Sequence, residues 1–132
     1  MAASFSINAA CLEGRPSIDD ELRTSTAVAV ITPTKMKYLQ EDLEDPIGIT
    51  ATLYTLRLDR VLRGRLPQRF HIRDENTSSR FPMAIGVPYL AFVYSARNGY
   101  GINSCGNSGP LKERNRVLKH LLDIKEESKH VR

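Results

Sequence analysis

The apolar residues fall in short blocks divided by turn residues, and most blocks carry the alternation of a strand. Ala27-Val28-Ala29-Val30-Ile31-Thr32 is a continuous, partly β-branched run, as in a buried strand. Pro33 has no N–H to give a ladder and is expected to end it. Lys35 to Pro46 mixes charged residues with a few apolar ones. It reads as a surface loop, with extension of the first strand through Tyr38 as the alternative. After Gly48, a longer β pattern runs from Ile49 to Leu62. Ile49, Ala51 and Leu53 alternate with Thr50, Thr52 and Tyr54; beyond Leu56 and Leu58 the apolar face changes register at Val61 and Leu62. Such a change predicts a bulge or the strong coiling of a small barrel.

Arg63 to Pro67 reads as a turn, Arg69 to Arg73 as a strand with Phe70 and Ile72 on one side, and Asp74 to Arg80 as a polar loop. Gly86-Val87-Pro88 leads into Tyr89 to Tyr94, the most apolar strand of the chain. Asn98-Gly99 predicts a type I′ hairpin, whose two central residues need positive φ, and Tyr100 to Cys105 is the returning strand. Ser17 is placed to cap a short helical turn whose first residues, Asp19, Asp20 and Glu21, suit the positive end of a helix dipole. Pro110 suits a first helical position. From there Leu111, Val117, Leu118, Leu121, Leu122, Ile124 and the stem of Lys125 form one apolar stripe. The fold class is therefore mostly β: a five-stranded OB-like Greek-key barrel, with a short N-terminal helical turn and a C-terminal α-helix. Residues 1–10 read as an N-terminal tail, 11–125 as the single domain and 126–132 as a charged, fraying tail.

Composition narrows the function more than the fold. The 132 residues fit one domain, and no apolar run approaches the roughly 20 residues that span a bilayer. The net charge of +4 is spread among fifteen acidic residues with no block of like charges, which favours a solvated surface over a nucleic-acid site. Cys11 and Cys105 show no CxxC spacing, and His71, His120 and His130 are scattered, so no metal site is indicated. The two cysteines are open to two readings: a pair of buried thiols, or one bridge closing a very long loop, which in the chain-entropy model stabilises by roughly 4–5 kcal/mol. Met1 to Ala10 lacks a basic segment followed by an apolar one. The small residues Asn8-Ala9-Ala10 fit equally the tail of a removed signal peptide or a free end.

No catalytic constellation emerges. Asp19-Asp20 and Glu41-Asp42 lie in surface segments, His71 stands alone beside Phe70, and Ser104, Ser108 and Thr77 lack His or Asp partners. No GxSxG elbow, P-loop or dinucleotide fingerprint is present. The expectation is a protein that is not an enzyme and takes no cofactor. Arg57, Arg60, Phe70 and Arg73, with Tyr54 and His71, could form a basic and aromatic platform for single-stranded nucleic acid. The competing reading, which the small number of aromatics favours, puts Phe70 in the core and the arginines in solvent.

The order of elements resembles the tissue inhibitors of metalloproteinases and the wider netrin-like group of OB barrels. The resemblance runs from about Cys11 to Leu122. It rests on an early Cys, the Ala27-Val28-Ala29-Val30 strand after a short acidic segment, and Arg60-Val61-Leu62-Arg63-Gly64 at a strand end. Gly86-Val87-Pro88-Tyr89-Leu90-Ala91-Phe92 and Asn103-Ser104-Cys105-Gly106 followed by Pro110-Leu111 complete it. It implies an oxidising compartment, hence a secreted or periplasmic protein whose signal peptide is already removed, and a bridge between Cys11 and Cys105. In the family a Cys-x-Cys start chelates the protease zinc through its first cysteine, which is itself bridged to a mid-chain Cys-Gly. Here Ala9 stands at the first position and Ser78-Ser79-Arg80-Phe81 at its partner, so both halves of that bridge are absent. The resemblance thus implies a protein-binding module with inhibition absent or much weakened. Its contact edge is expected at Ala9, Ala10, Cys11, Leu12 and Glu13 with Ser78, Ser79, Arg80 and Phe81, its partner a protein such as a protease. A nucleic-acid-binding OB domain is the alternative.

Overall fold

The computed structural model describes residue 11, residues 14–97 and residues 99–131, with backbone alone from 126. Among these residues lie α1 (Ile18–Thr24), β1 (Ala27–Leu39), β2 (Ala51–Gly64), β3 (Arg69–Glu75), β4 (Tyr89–Ala96), β5 (Gly99–Ile102), the two-residue β6 (Gly109–Pro110), one 3-10 turn (Leu111–Glu113) and α2 (Asn115–Val131). Neighbouring strands follow the order β1-β2-β3-β5-β4, and β4 pairs back onto β1 to close a five-stranded barrel. Every barrel pairing is antiparallel except β3 with β5, which is parallel and rests on Ile72 opposite Tyr100. This is the OB-like Greek-key order that the sequence predicts.

The continuous apolar blocks of β1 and β4 are explained by what lies on either side of them. They pair from Ala27–Val93 to Ile31–Tyr89. One set of alternate residues (Ala29, Ile31, Tyr89, Ala91, Val93) faces the barrel interior with Tyr54, Leu56, Leu58, Phe70 and Ile72. The other set (Val28, Val30, Leu90, Phe92) faces outward, where Val117 and Leu121 of α2 and Ile18 and Leu22 of α1 cover it. Burying one such side chain stabilises by about 1.5–3 kcal/mol, so both periodicities are satisfied by one pair of strands. Helix α1 is set at its start by Ser17, whose Oγ accepts from the Asp20 N–H at 3.0 Å.

The face change expected in β2 is present as two bulges, with Leu62 and Asp59 as the unpaired extra residues against β1. Val61 then packs inside the barrel and Leu62 outside it.

Several boundaries differ from the sequence expectation. Pro33 does not end β1; of the two readings for the segment after it, extension through Tyr38 is the one found, and β1 continues to Leu39. The Pro33 carbonyl accepts from Gly86 N–H on the side away from β2, so the missing N–H also falls on that side, just where β4 has left β1. A further irregularity at Thr34 adjusts the register. β2 begins at Ala51 rather than Ile49. The β4–β5 hairpin is offset by one residue from Asn98-Gly99: Ala96 pairs with Gly99, so Arg97 opens the two-residue loop, and Arg97 does not have the positive φ a type I′ turn needs. β5 stops at Ile102, and Cys105 sits in a turn closed by Gly106 N–H to Asn103 O at 3.0 Å. Pro110 pairs with Tyr89 and caps the 3-10 turn, so α2 starts at Asn115 and runs to Val131, past the expected boundary at Lys125.

Candidate functional site

β1 outlasts its partner β4 by eight residues, because pairing between them stops at Ile31 and the strand continues to Leu39. Together with β2 it projects past the closed part of the barrel. Alternation places Met36 and Tyr38 opposite Tyr54 and Thr52, on the side that becomes the barrel interior lower down. Met36, Tyr38, Ile49, Thr52 and Tyr54 line one wall of a cleft of about 320 Å³ at the barrel mouth; Asp74, Asn76, Arg80, Pro82 and Met83 line the other. Tyr38 is 56% exposed, and Leu43 and Ile47 near the hairpin tip are exposed at 95% and 84%. Large apolar side chains are thus exposed together at this end of the protein.

The second wall is held from inside the barrel. Phe81 N–H donates to both oxygens of Asp74 at 2.9 and 3.1 Å. Met83 N–H donates to the Tyr54 hydroxyl at 3.0 Å, and Ala84 N–H to the Tyr89 hydroxyl at 2.7 Å. Burial pushes the Asp74 carboxyl and the Tyr54 hydroxyl above their ordinary values. Phe81 packs edge-to-face on Tyr89 with ring centroids 6.0 Å apart. Three backbone donors of an irregular segment thus end on side chains of the barrel, which fixes the segment's position.

Ser79 and Phe81 border a second cleft of about 290 Å³ that reaches Gly101 and Ile102, where β3 and β5 share their single residue pair. Ser104 and Cys105 follow directly and, with Cys11, Gly14 and Arg15, line a third cleft of about 270 Å³. Of the residues expected from the sequence, Arg80 thus lines the mouth cleft, Ser79 and Phe81 the second and Cys11 the third, so they are not gathered in one site. Cys11 is bridged to Cys105 with Cα atoms 5.5 Å apart. Ala9, Ala10, Leu12 and Glu13 lie outside the described residues.

The bridge joins a rigid frame. Glu21, 1% exposed, accepts from Asn107 N–H at 2.7 Å, from Asn107 Nδ2 at 3.1 Å and from the Tyr94 hydroxyl at 2.8 Å. A Cβ on Gly106 would collide with the Glu21 carboxylate, so only glycine fits beside it. Arg114 donates to the carbonyls of Asn107 and Ser108, both at 3.1 Å, and Phe92 N–H donates to Ser108 Oγ at 2.8 Å. Burial, reinforced by the Glu21 carboxylate, pushes the Tyr94 hydroxyl up to about 12.

The nucleic-acid alternative loses its stacking residues. Phe70 is inside the barrel, edge-to-face with Tyr100 at 5.2 Å, and Tyr54 is buried. Arg57 is paired with Asp59 at 2.8 Å, and Arg73 with both Glu41 and Glu75. Arg60 is exposed and His71 lies on the outer face. Arg57, Arg60, Phe70 and Arg73 thus do not share one cationic and aromatic surface. The sequence reading also missed Met36, Tyr38 and Ile49 as a wall and Tyr54, Tyr89 and Asp74 as anchors. The anchors' partners lie 29, 5 and 7 residues away in segments without a pattern. Among the described residues, no group of three or more His, Cys, Asp or Glu side chains is arranged to hold a metal ion. No family model matches the chain, and no curated protein matches its sequence.

Proposed function

We propose that the protein is a protein-binding module of an oxidising compartment, secreted or periplasmic, and that its contact surface is the open end of the barrel. The observation that carries this is the cleft between the projecting β1–β2 hairpin and the anchored segment around Arg80, with Met36, Tyr38 and Ile49 left in solvent. A bridge between residues 94 positions apart supports the compartment, since such bonds persist where thiols are oxidised. No helix of the described residues is long and apolar enough to cross a membrane. The resemblance to metalloproteinase inhibitors supports a protein as partner. The Ala9 position, which carries no thiol-anchored amine, supports the view that protease inhibition is absent or much weakened.

Photo-crosslinking residues placed singly at Tyr38, Ile49 and Arg97 test the reading in the exported fraction of producing cells. Arg97 sits at the far end of β4 and serves as the control. Discrete protein adducts at Tyr38 and Ile49, and none at Arg97, are expected. Equal labelling at both ends, or none, contradicts the reading. Nanomolar inhibition of a zinc endopeptidase would contradict its second half.

A further inference from the structure

Among the described residues nothing occupies the outer edge of the projecting half of β1, and the direction of that edge follows from the ladder. Asn76 N–H donates to Thr50 O, which turns the polar groups of Ala51 toward β1. Thr50 N–H likewise donates to Leu39 O, so Leu39 faces β2. By alternation the N–H and C=O groups of Met36 and Tyr38 point away from β2. Among the described residues nothing bonds to them.

The two faces beside this edge differ in chemistry. Met36 and Tyr38 turn their side chains into the mouth cleft. Lys35 and Lys37, opposite Thr55 and Leu53, turn theirs to the outer face. Both lysines are exposed, and among the described residues neither is in an ion pair. Glu41 and Glu75 are paired with Arg73, and Asp59 with Arg57.

We propose that this edge binds an extended segment of a protein partner by strand addition, and that the segment alternates acidic with apolar residues. The proposal rests on the protein-binding reading above and specifies its partner. Backbone bonds to Met36 and Tyr38 hold the segment, its acidic residues lie beside Lys35 and Lys37, and its apolar residues cover Met36 and Tyr38. A second copy is the wrong occupant. Antiparallel pairing of two such edges through Met36 and Tyr38 puts Lys37 opposite Lys37, or Lys35 opposite Lys37, and like charges directly opposite are destabilising. Pro33 and the irregularity at Thr34 shorten the edge further, which restricts it to a short partner segment.

The test uses fluorescein-labelled nonapeptides of alternating Glu and Val, or Lys and Val, titrated with the full chain and read by anisotropy. The Glu–Val peptide should bind saturably, lose affinity about tenfold in the double variant Lys35→Glu/Lys37→Glu, and yield to the Lys–Val peptide there. Methylating the peptide amides along one edge should abolish binding, and along the other leave it unchanged. No saturable binding, indifference to the charge reversal, or equal sensitivity at both peptide edges overturns strand addition. A concentration-dependent dimer that protects the Met36 and Tyr38 amides reassigns the edge to a second copy and overturns the proposal too. Peptide failure with adducts retained at Tyr38 removes strand addition alone; loss of both removes the protein-binding reading.

Discussion

One strand of this molecule lives in two environments. From Ala27 to Pro33, β1 is buried at every residue; β2 runs beside it, β4 pairs with it as far as Ile31, and α1 and α2 cover the outward-facing Val28 and Val30. From Thr34 to Tyr38 every residue is exposed and, among the described residues, only β2 pairs with it. The backbone is the same extended ladder throughout. What differs is cover: the first half carries core packing, and the second is the half that the proposed partner would meet. The second is held by pairing to β2 alone, and its exposed apolar groups and unpaired edge have no structural employment.

The largest effects should come from the covered half. Phe92→Ala, at a residue with 0% exposure beneath the helices, should cost about 3–5 kcal/mol in denaturant unfolding. Removing the bridge with Cys11→Ser and Cys105→Ser together should cost about 2–5 kcal/mol, read in the same assay, while leaving the β1 edge and its peptide binding intact. At the junction between the halves, Tyr54→Phe strands the Met83 N–H, and an unmet buried donor costs about 1–3 kcal/mol. Hydrogen exchange should show the Met83 amide speeding up more than amides of α2.

Tyr94 gives a pH handle on the covered side. Its folded value of about 12 lies above its ordinary 10, so the folded state holds the proton more tightly than the unfolded chain. Stability from this group is fully present below pH 10 and is lost as pH rises toward 12. Melting curves across that window should fall more gently in Tyr94→Phe than in the wild type. The smallest stability effect belongs to the open half: Tyr38→Ala should stay within about 0.5 kcal/mol while reducing peptide affinity. A large loss of stability there would break the comparison.

The covered half is also the half that the sequence describes well. Ala27 to Ile31 and Tyr89 to Val93 are apolar at every position because both faces are packed, so composition alone marks them as strands. Phe70 and Ile72 show the plain alternation of a strand with one dry face. Ser17 and the Leu118–Leu121 stripe announce their helices in the same local way. The open half hides because its signals conflict. Pro33 reads as a stop, yet its missing N–H falls where no ladder remains, and Lys35 and Lys37 make a strand look like a loop. The anchored wall hides for another reason: Tyr54 reads as an outward residue of its strand, Tyr89 as one of a continuous apolar run, and their hydroxyls meet backbone N–H groups that carry no sequence signature. Glu21 looks like one more first-turn acid, because Asn107, its main partner, is 86 residues away.

The most direct test is amide hydrogen exchange along β1, with and without the Glu–Val peptide. The account predicts slow exchange at Val28 and Val30 in both conditions, and fast exchange at Met36 and Tyr38 that slows when the peptide is bound. Protection of Met36 and Tyr38 in the free monomer, or no change on addition of saturating peptide, would contradict it.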